Sequence, residues 1–279
     1  LKFKKKRIVF FIGEIGLGGT EKQLSILTKY FNKEMFEFTL IVFNTSPFGN
    51  LTNQIFPHLD QLIFIPKKKT SIFSRLLYLF KKVKNIDPFC IHSWSVHDNA
   101  YAGILGRILG VPVIIGSVRG SLKSTSFEKL PSFYKWISLI SVPKLVVNSK
   151  FLKDELILKG VDFDRIAYIP NCVEESQIIN RTTKNNTNII TTIGNLRENK
   201  NHEFFIEVMS IVIKRLPKTE GWIVGQVVAD EPYYQNKLKQ IINSNSMNKK
   251  IKLLGFQSDI KSILEKTSVF VLSSKSESS

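Results

Sequence analysis

Cysteine is almost absent: Cys90 and Cys172 are the only two in 279 residues, far apart and without a C-x-x-C neighbour. That excludes a disulfide framework and a paired-cysteine zinc site, and it fits a reducing cytosol. Long apolar runs are missing as well. No stretch approaches the ~18 apolar residues that a membrane span needs; the nearest, Phe133 to Val147, is interrupted by Lys135, Pro143 and Lys144. The start, Leu1 to Arg7, is basic like a signal-peptide n-region, but the apolar run Ile8 to Ile12 is too short and turns straight into a glycine loop, so it reads as a first strand. No Gly-x-Ser-x-Gly, His-Glu-x-x-His or paired Cys/His spacing occurs, which removes the strongest sequence signals for a serine hydrolase or a metalloenzyme. No Ser/Gly/Pro tract or charge block is long enough to read as disordered.

What is present is a chain long enough for two α/β units, with 43% apolar residues to fill two cores. The net charge is +17 and unevenly placed: residues 1–170 hold 25 Lys/Arg against 12 Asp/Glu, and residues 171–279 hold 15 against 11. A basic first half attracts nucleic acid, anionic lipid or acidic substrates without choosing among them, and lysines also serve solubility alone. Lys67-Lys-Lys69, Ser71 to Phe80, then Lys81, Lys82 and Lys84 read as a basic, partly amphipathic helix that could touch an anionic membrane. The same apolar residues could instead pack on the sheet. Against nucleic acid, no aromatic-basic or helix-turn-helix signal accompanies the charge.

Strand-like runs recur at Arg7–Ile12, Phe38–Phe43, Gln61–Ile65, Pro88–His92, Pro112–Gly116, Lys144–Asn148 and Arg165–Ile169. Helix-period stretches alternate with them: Thr20–Phe31, Asn99–Leu109 and Lys150–Lys159. This spacing predicts a mostly parallel sheet with right-handed crossovers. Residues 172–188 turn polar and aperiodic and mark a linker between a domain over 1–171 and a second over 189–279. The second series has strands at Ile189–Gly194, Gly221–Gly225, Ile251–Gly255 and Val269–Ser273, with helices at Asn201–Arg215, Pro232–Asn243 and Ser258–Lys266. The fold class expected is α/β, two Rossmann-like domains with the second incomplete.

Two loops carry the chemistry. Gly13 to Glu21 joins the first strand to the first helix, and its glycines let backbone amides approach a phosphate or polar sugar. It is neither a dinucleotide fingerprint, since Glu21 falls where the third glycine would stand, nor a P-loop. Ile189 to Asn201 repeats the arrangement, with Arg197 and Lys200 just before a helix, able to converge on one diphosphate. Each loop taken alone is also an ordinary strand-to-helix turn with solvated cations. His92 and Arg119 both follow or end strands, where open α/β sheets bind ligands.

In this order the pieces resemble the retaining GT-B enzymes called glycosyltransferase group 1, or family 4. Gly18-Gly-Thr-Glu-Lys-Gln-Leu24 is similar to the N-terminal glycine loop and helix of that family, and Gly110-Val-Pro-Val-Ile114 to its Gly-Val-Pro turn. Val146 to Lys150, Ile169 to Val173 and Gly194 to Asn201 resemble the close of the first domain and the opening of the donor domain. Gly221 to Gly225, Leu254 to Phe256 and Val269 to Ser274 continue in step.

The resemblance implies an acceptor-side first domain and a sugar-nucleotide domain after it, with reaction between them. It implies transfer of a sugar from a sugar nucleotide to a glycan or lipid-linked acceptor, with retention, as in polysaccharide biosynthesis of the cell envelope. By the same resemblance, Arg197 and Lys200 hold the donor diphosphate without a metal or other cofactor, beside Gly194. Gly18 and Gly19 lie near the donor, His92 contacts the transferred sugar, Arg119 meets the acceptor, and Glu277 is the first Glu of a Glu-x7-Glu motif. The implied location is cytoplasmic, peripheral on the inner membrane face. Cys172 replaces a usual glycine, Trp94 replaces a frequent second histidine, and the second Glu of the motif would lie beyond Ser279. The chain starts with Leu, so it reads as a fragment, inactive alone. A sugar-nucleotide 2-epimerase and a binding-only relative are the alternatives.

Overall fold

The structure is a computed structural model, and it describes residues 4–16, 18–44, 57–68, 71–123, 125–175, 178, 187–228 and 231–275. The chain divides into two compact units, one through Cys172 and one from Val173 onwards.

In the first unit β1 (Lys6–Ile12), β2 (Phe36–Val42), β3 (Gln61–Phe64), β4 (Cys90–Ser93), β5 (Val113–Val118), β6 (Lys144–Val147) and β7 (Ile166–Tyr168) form one parallel sheet. Its order is β3-β2-β1-β4-β5-β6-β7. The chain first winds outward from β1 and then returns to add β4 on its other side, so a topological switch point lies between β1 and β4.

The crossovers are α1 (Gly19–Tyr30), α2 (Ile72–Ile86), α3 (Asn99–Ile108), the short α4 (Thr125–Glu128), α5 (Ser132–Ile140) and α6 (Lys150–Leu158). Successive strand residues point to opposite faces. Ile8, Phe10 and Ile12 therefore join Leu24 of α1 in one core layer, while Val9 and Phe11 join Leu79, Val83 and Leu105 in the other. Both faces of the central strands are buried, so they read as continuous apolar runs. Local chemistry sets the helix ends: Ser71 and Ser149 accept the backbone N–H of Ser74 and Leu152, each at 3.2 Å. Gly110 and Gly160 take the left-handed conformation after α3 and α6, at φ +65° and +82°.

The expected strands and helices are present, with ends that agree to within two residues. Val269–Ser273 is the exception: only Val269–Phe270 pairs as β11, and it does so on one side. The apolar stretch from Phe133 resolves into α5 and β6.

The second unit carries β8 (Ile189–Ile193), β9 (Glu220–Val224), β10 (Ile251–Gly255) and β11, all parallel, in the order β10-β9-β8-β11. Helices α7 (His202–Arg215), α8 (Tyr234–Ser244) and α9 (Ile260–Lys266) connect them. Phe205, Ile206 and Met209 of α7 pack with Leu238 and Ile242 of α8 and Ile223 of β9 as its core. The strand order again reverses beside the first strand, between β8 and β11. Each unit is thus a Rossmann-like sheet with its switch point next to its leading strand.

Candidate functional site

A cavity of about 280 Å³ opens at the carboxyl ends of β1, β4 and β5. Its walls come from Gly13 and Glu14 after β1, Thr20 and Glu21 of α1, Trp94 to His97 after β4, and Arg119 to Ser121 after β5. The Arg119 guanidinium stacks over the Trp94 ring at 3.9 Å, and its Nη1 donates to Asn171 Oδ1 at 3.4 Å. Its Nε is buried without a hydrogen-bond partner. Burial pushes the group down to about 10, partly countered by Cys172, so it stays cationic near neutral pH. A half-buried cation with an unsatisfied donor on the cavity wall is suited to an anionic or hydroxyl-rich ligand.

His92 is not among the lining residues. Cys90, His92 and Trp94 alternate onto the same sheet face, which puts His92 one pleat deeper than Trp94. Its ring lies 5.3 Å from Trp94 and 6.0 Å from Phe10, and Nε2 meets Ser117 Oγ at 3.0 Å. Burial, with Arg119 adding to it, pushes the imidazole down to about 3 and keeps it neutral. Trp94 and Arg119 thus line the cavity, with His92 directly beneath Trp94 on the same sheet face.

The glycine loop is packed by a side chain of its own helix. Glu21 turns back and accepts its own amide and those of Gly16 and Gly18. A Cβ on Gly18 would come within 2.6 Å of Glu21 Oε2, whereas Gly19 faces open space. The amides at the head of α1 are therefore met by a carboxylate of the chain itself, whose titration is raised chiefly by burial. Beneath the loop, Asp98 is buried, pushed up to about 7 by burial against the lowering effect of Arg75, and its Oδ2 has no partner. A Cβ on Gly13 would lie 3.8 Å from that oxygen.

Cys172 needs no positive φ. The Gln23 side chain holds it from both sides, accepting its N–H at 2.9 Å and donating to its carbonyl at 2.8 Å.

In the second unit the loop after β8 is braced along its length. The Gly194 N–H donates to the Val224 carbonyl at 2.9 Å, and the Lys200 methylenes lie across Gly194, 3.3 Å from where a Cβ would stand. Asn201 adopts φ +52° and starts α7. Ser273 Oγ donates to the Lys200 carbonyl at 2.9 Å, the Lys275 N–H to the Asn199 carbonyl at 2.8 Å, and the Glu198 N–H to Glu231 Oε2 at 2.7 Å. Half-buried Arg197 and Lys200 are held at the carboxyl end of β8, at the switch point, before the N-terminus of α7. His202, kept neutral mainly by burial, approaches the Asn195 carbonyl at 3.3 Å. A Cβ on Gly225 would fall 1.8 Å from the Gly194 carbonyl oxygen, so two backbones meet here at a distance only glycine permits. Glu277 lies outside the described residues.

This pairing of two Rossmann-like units, each with a strand-to-helix loop at its switch point, has counterparts among known proteins. The profile of Glycosyltransferase Family 4 matches residues 17–177. The chain belongs to glycosyltransferase family 4. The profile of glycosyl transferases group 1 matches residues 174–279, so the two profiles between them follow most of this family 4 chain. An Escherichia coli relative, named UDP-Gal:alpha-D-GlcNAc-diphosphoundecaprenol alpha-1,3-galactosyltransferase, is 26% identical over 270 residues, covering 86% of this chain and 66% of its own length. The chain thus spans about two thirds of that curated relative.

Among solved structures, Anabaena HepE in complex with UDP and glucose has a TM-score of 0.78 at 16% identity, over 97% of this chain and 75% of that one. A putative UDP-N-acetylglucosamine 2-epimerase from Listeria monocytogenes has a TM-score of 0.61 at 14% identity, over 96% and 74%. A putative epimerase thus shares this GT-B type of fold, so the fold alone does not choose the reaction. Among the described residues of the family 4 chain, no three His, Cys, Asp or Glu side chains gather as metal ligands, and no helix is long and apolar enough to cross a membrane.

Proposed function

We propose that this chain belongs to a retaining hexosyltransferase that moves a sugar from a nucleoside-diphosphate sugar to a lipid-linked or glycan acceptor. The observation that carries this reading is the braced loop 194–201, which holds two cations and a helix N-terminus at the switch point of the second unit. As the bond from the sugar C1 to the phosphate oxygen breaks, charge accumulates on the departing diphosphate. Arg197 and Lys200 stabilise it, assisted by the α7 amides, with no metal required. The acceptor oxygen bonds to C1 on the same face, and its proton leaves with the nucleotide.

Arg119, held flat on Trp94, binds the acceptor, and the neutral His92 positions that pair from one pleat below. Gly18 and Gly19 approach the donor and Glu277 binds its sugar. The E. coli relative is named for UDP-galactose and a diphosphoundecaprenol-linked GlcNAc. These make a UDP-hexose and an isoprenoid-diphosphate acceptor the first pair to try, with envelope polysaccharide synthesis at the cytoplasmic membrane face as the setting.

Arg197→Ala or Lys200→Ala removes a contact that strengthens as the leaving group gains charge, so the loss is expected in kcat as well as KM. For one such contact it is about 3 kcal/mol, or about a hundredfold in rate. Lys218, exposed in the turn beyond α7, is the control, and its alanine variant keeps the wild-type rate. If all three variants behaved alike, Arg197 and Lys200 would be ordinary surface cations.

A further inference from the structure

Two helices on one side of the first unit present apolar stripes to solvent. On α5, Phe133, Trp136 and Ile140 follow i, i+3, i+7 spacing on the outer face, with Phe133 69% and Trp136 57% exposed. This is not the face that packs inward, which carries Ser138 and Leu139. On α2, Phe73 is 71% exposed and leads a stripe at i, i+4, i+8, i+11: Phe73, Leu77, Lys81, Lys84. Its first half is apolar and its second half cationic. Between the helices is a hollow of about 250 Å³, walled by apolar side chains of α2, α3 and α5 that include Leu76, Ile104 and Ile137. The stripes and the hollow form one apolar patch, and a patch of this kind on a soluble surface marks an interaction site.

Charge identifies what covers it. Residues 61–86, which contain α2, carry seven Lys or Arg and no Asp or Glu. Residues 129–153, which contain α5, carry five lysines and again no acid. The acids that bound these stretches are Asp60, which accepts the Phe38 N–H at 2.7 Å, Asp87, which pairs with Arg7 at 2.9 Å, Glu128, whose carbonyl accepts Lys135 Nζ at 3.2 Å, and Asp154. A second copy of the chain docked face to face would set these lysines against themselves. Exposed aromatic rings framed by lysines match the anionic lipid–water boundary, where rings sit at headgroup level and each nearby cation adds attraction.

We infer that the α2–α5 face docks on an anionic lipid bilayer, with Phe73, Phe133 and Trp136 entering the headgroup layer and the lysines of α2 on lipid phosphates. This stands without the transferase reading, although docking would also bring the candidate cavity close to the membrane. Tyr134 connects the two, since it lines the hollow and its hydroxyl donates at 2.6 Å to the carbonyl of His97 on the cavity wall.

The test uses vesicles of phosphatidylcholine with and without phosphatidylglycerol at low salt, with no sugar nucleotide or acceptor present. Retention on the anionic vesicles is expected to exceed that on phosphatidylcholine alone by roughly tenfold or more. Trp136 should shift to bluer emission on binding, because Trp94 is buried and Trp222 half-buried beforehand. Phe73→Ser/Phe133→Ser/Trp136→Ser and Lys81→Glu/Lys84→Glu alter exposed side chains, and each should lose retention with an unchanged circular dichroism spectrum. Equal retention on both vesicle types, no retention, no emission shift, or wild-type retention by the serine variant would each overturn the inference. So would a dimer in light scattering that the serine variant abolishes while vesicles are ignored, since the face would then join two copies. Transfer to a soluble acceptor is measured separately and does not depend on the outcome.

Discussion

Replacing Arg119 by Met separates what this residue does for the fold from what it does for a ligand. Burial lowers the guanidinium from its ordinary value to about 10. That corresponds to about 3 kcal/mol disfavouring the cation in place, at 1.36 kcal/mol per unit. Against this, stacking on Trp94 at 3.9 Å contributes about 1–2 kcal/mol. The long hydrogen bond to Asn171 adds about 0.5 kcal/mol at most. Met keeps the apolar stem over the indole and removes the buried charge. The variant is therefore expected to be as stable as the parent or up to about 1 kcal/mol more stable, a rise of about 2–4 °C in the melting temperature of a unit this size. Acceptor kcat/KM, measured by initial rates at saturating donor, should nevertheless fall at least about tenfold, as a charge-assisted contact is lost. A melting temperature several degrees lower, or an unchanged acceptor kcat/KM, would refute the assignment of Arg119 as a ligand-facing cation held at a cost to the fold.

Gly225→Ala places a Cβ 1.8 Å from the Gly194 carbonyl oxygen, so it should destabilise the second unit by about 3 kcal/mol or more, seen as a lowered calorimetric transition for that unit with the first unit's unchanged. Asp98 is raised to about 7 in the folded chain, so native Asp98 holds a proton that the unfolded chain releases near pH 4; its contribution to stability is lost as pH rises from about 4 to 7, and in urea titrations the stability of Asp98→Asn should rise more steeply with pH over that window than the parent's. His92 works in the opposite sense, because its folded value of about 3 lies below the unfolded 6.5: its contribution is complete above pH 6.5 and lost as pH falls towards 3, and His92→Gln should remove that loss.

The alternation of apolar runs with helix-period stretches made both sheets legible, because parallel strands buried on both faces have to be continuously apolar. Helix α5 was not legible. Apolar residues stand on its outer face as well as its inner one, so no single-sided period marks it, and Phe133 to Val147 read only as the nearest approach to a membrane-length apolar run. The loop at Arg197 and Lys200 was visible as two cations before a helix. Its bracing by Ser273, Lys275 and Glu231 comes from segments distant in sequence and had no local signal. The depth of His92 was not legible either. It stands at a strand end, but the two-residue period aims Trp94 at the cavity rim and keeps His92 below it, a distinction that needs the length of β4 to be known. The return of Glu21 onto Gly16 and Gly18 depends on one side-chain conformation, which no spacing encodes.

Retaining sugar transfer is tested most directly by nuclear magnetic resonance of the product formed by the protein from UDP-hexoses and a diphospholipid-linked GlcNAc acceptor. An α-linked disaccharide from an α-linked donor, with release of UDP, is the expected result. A β-linked product, or an epimerised or hydrolysed donor formed equally without acceptor, would contradict it.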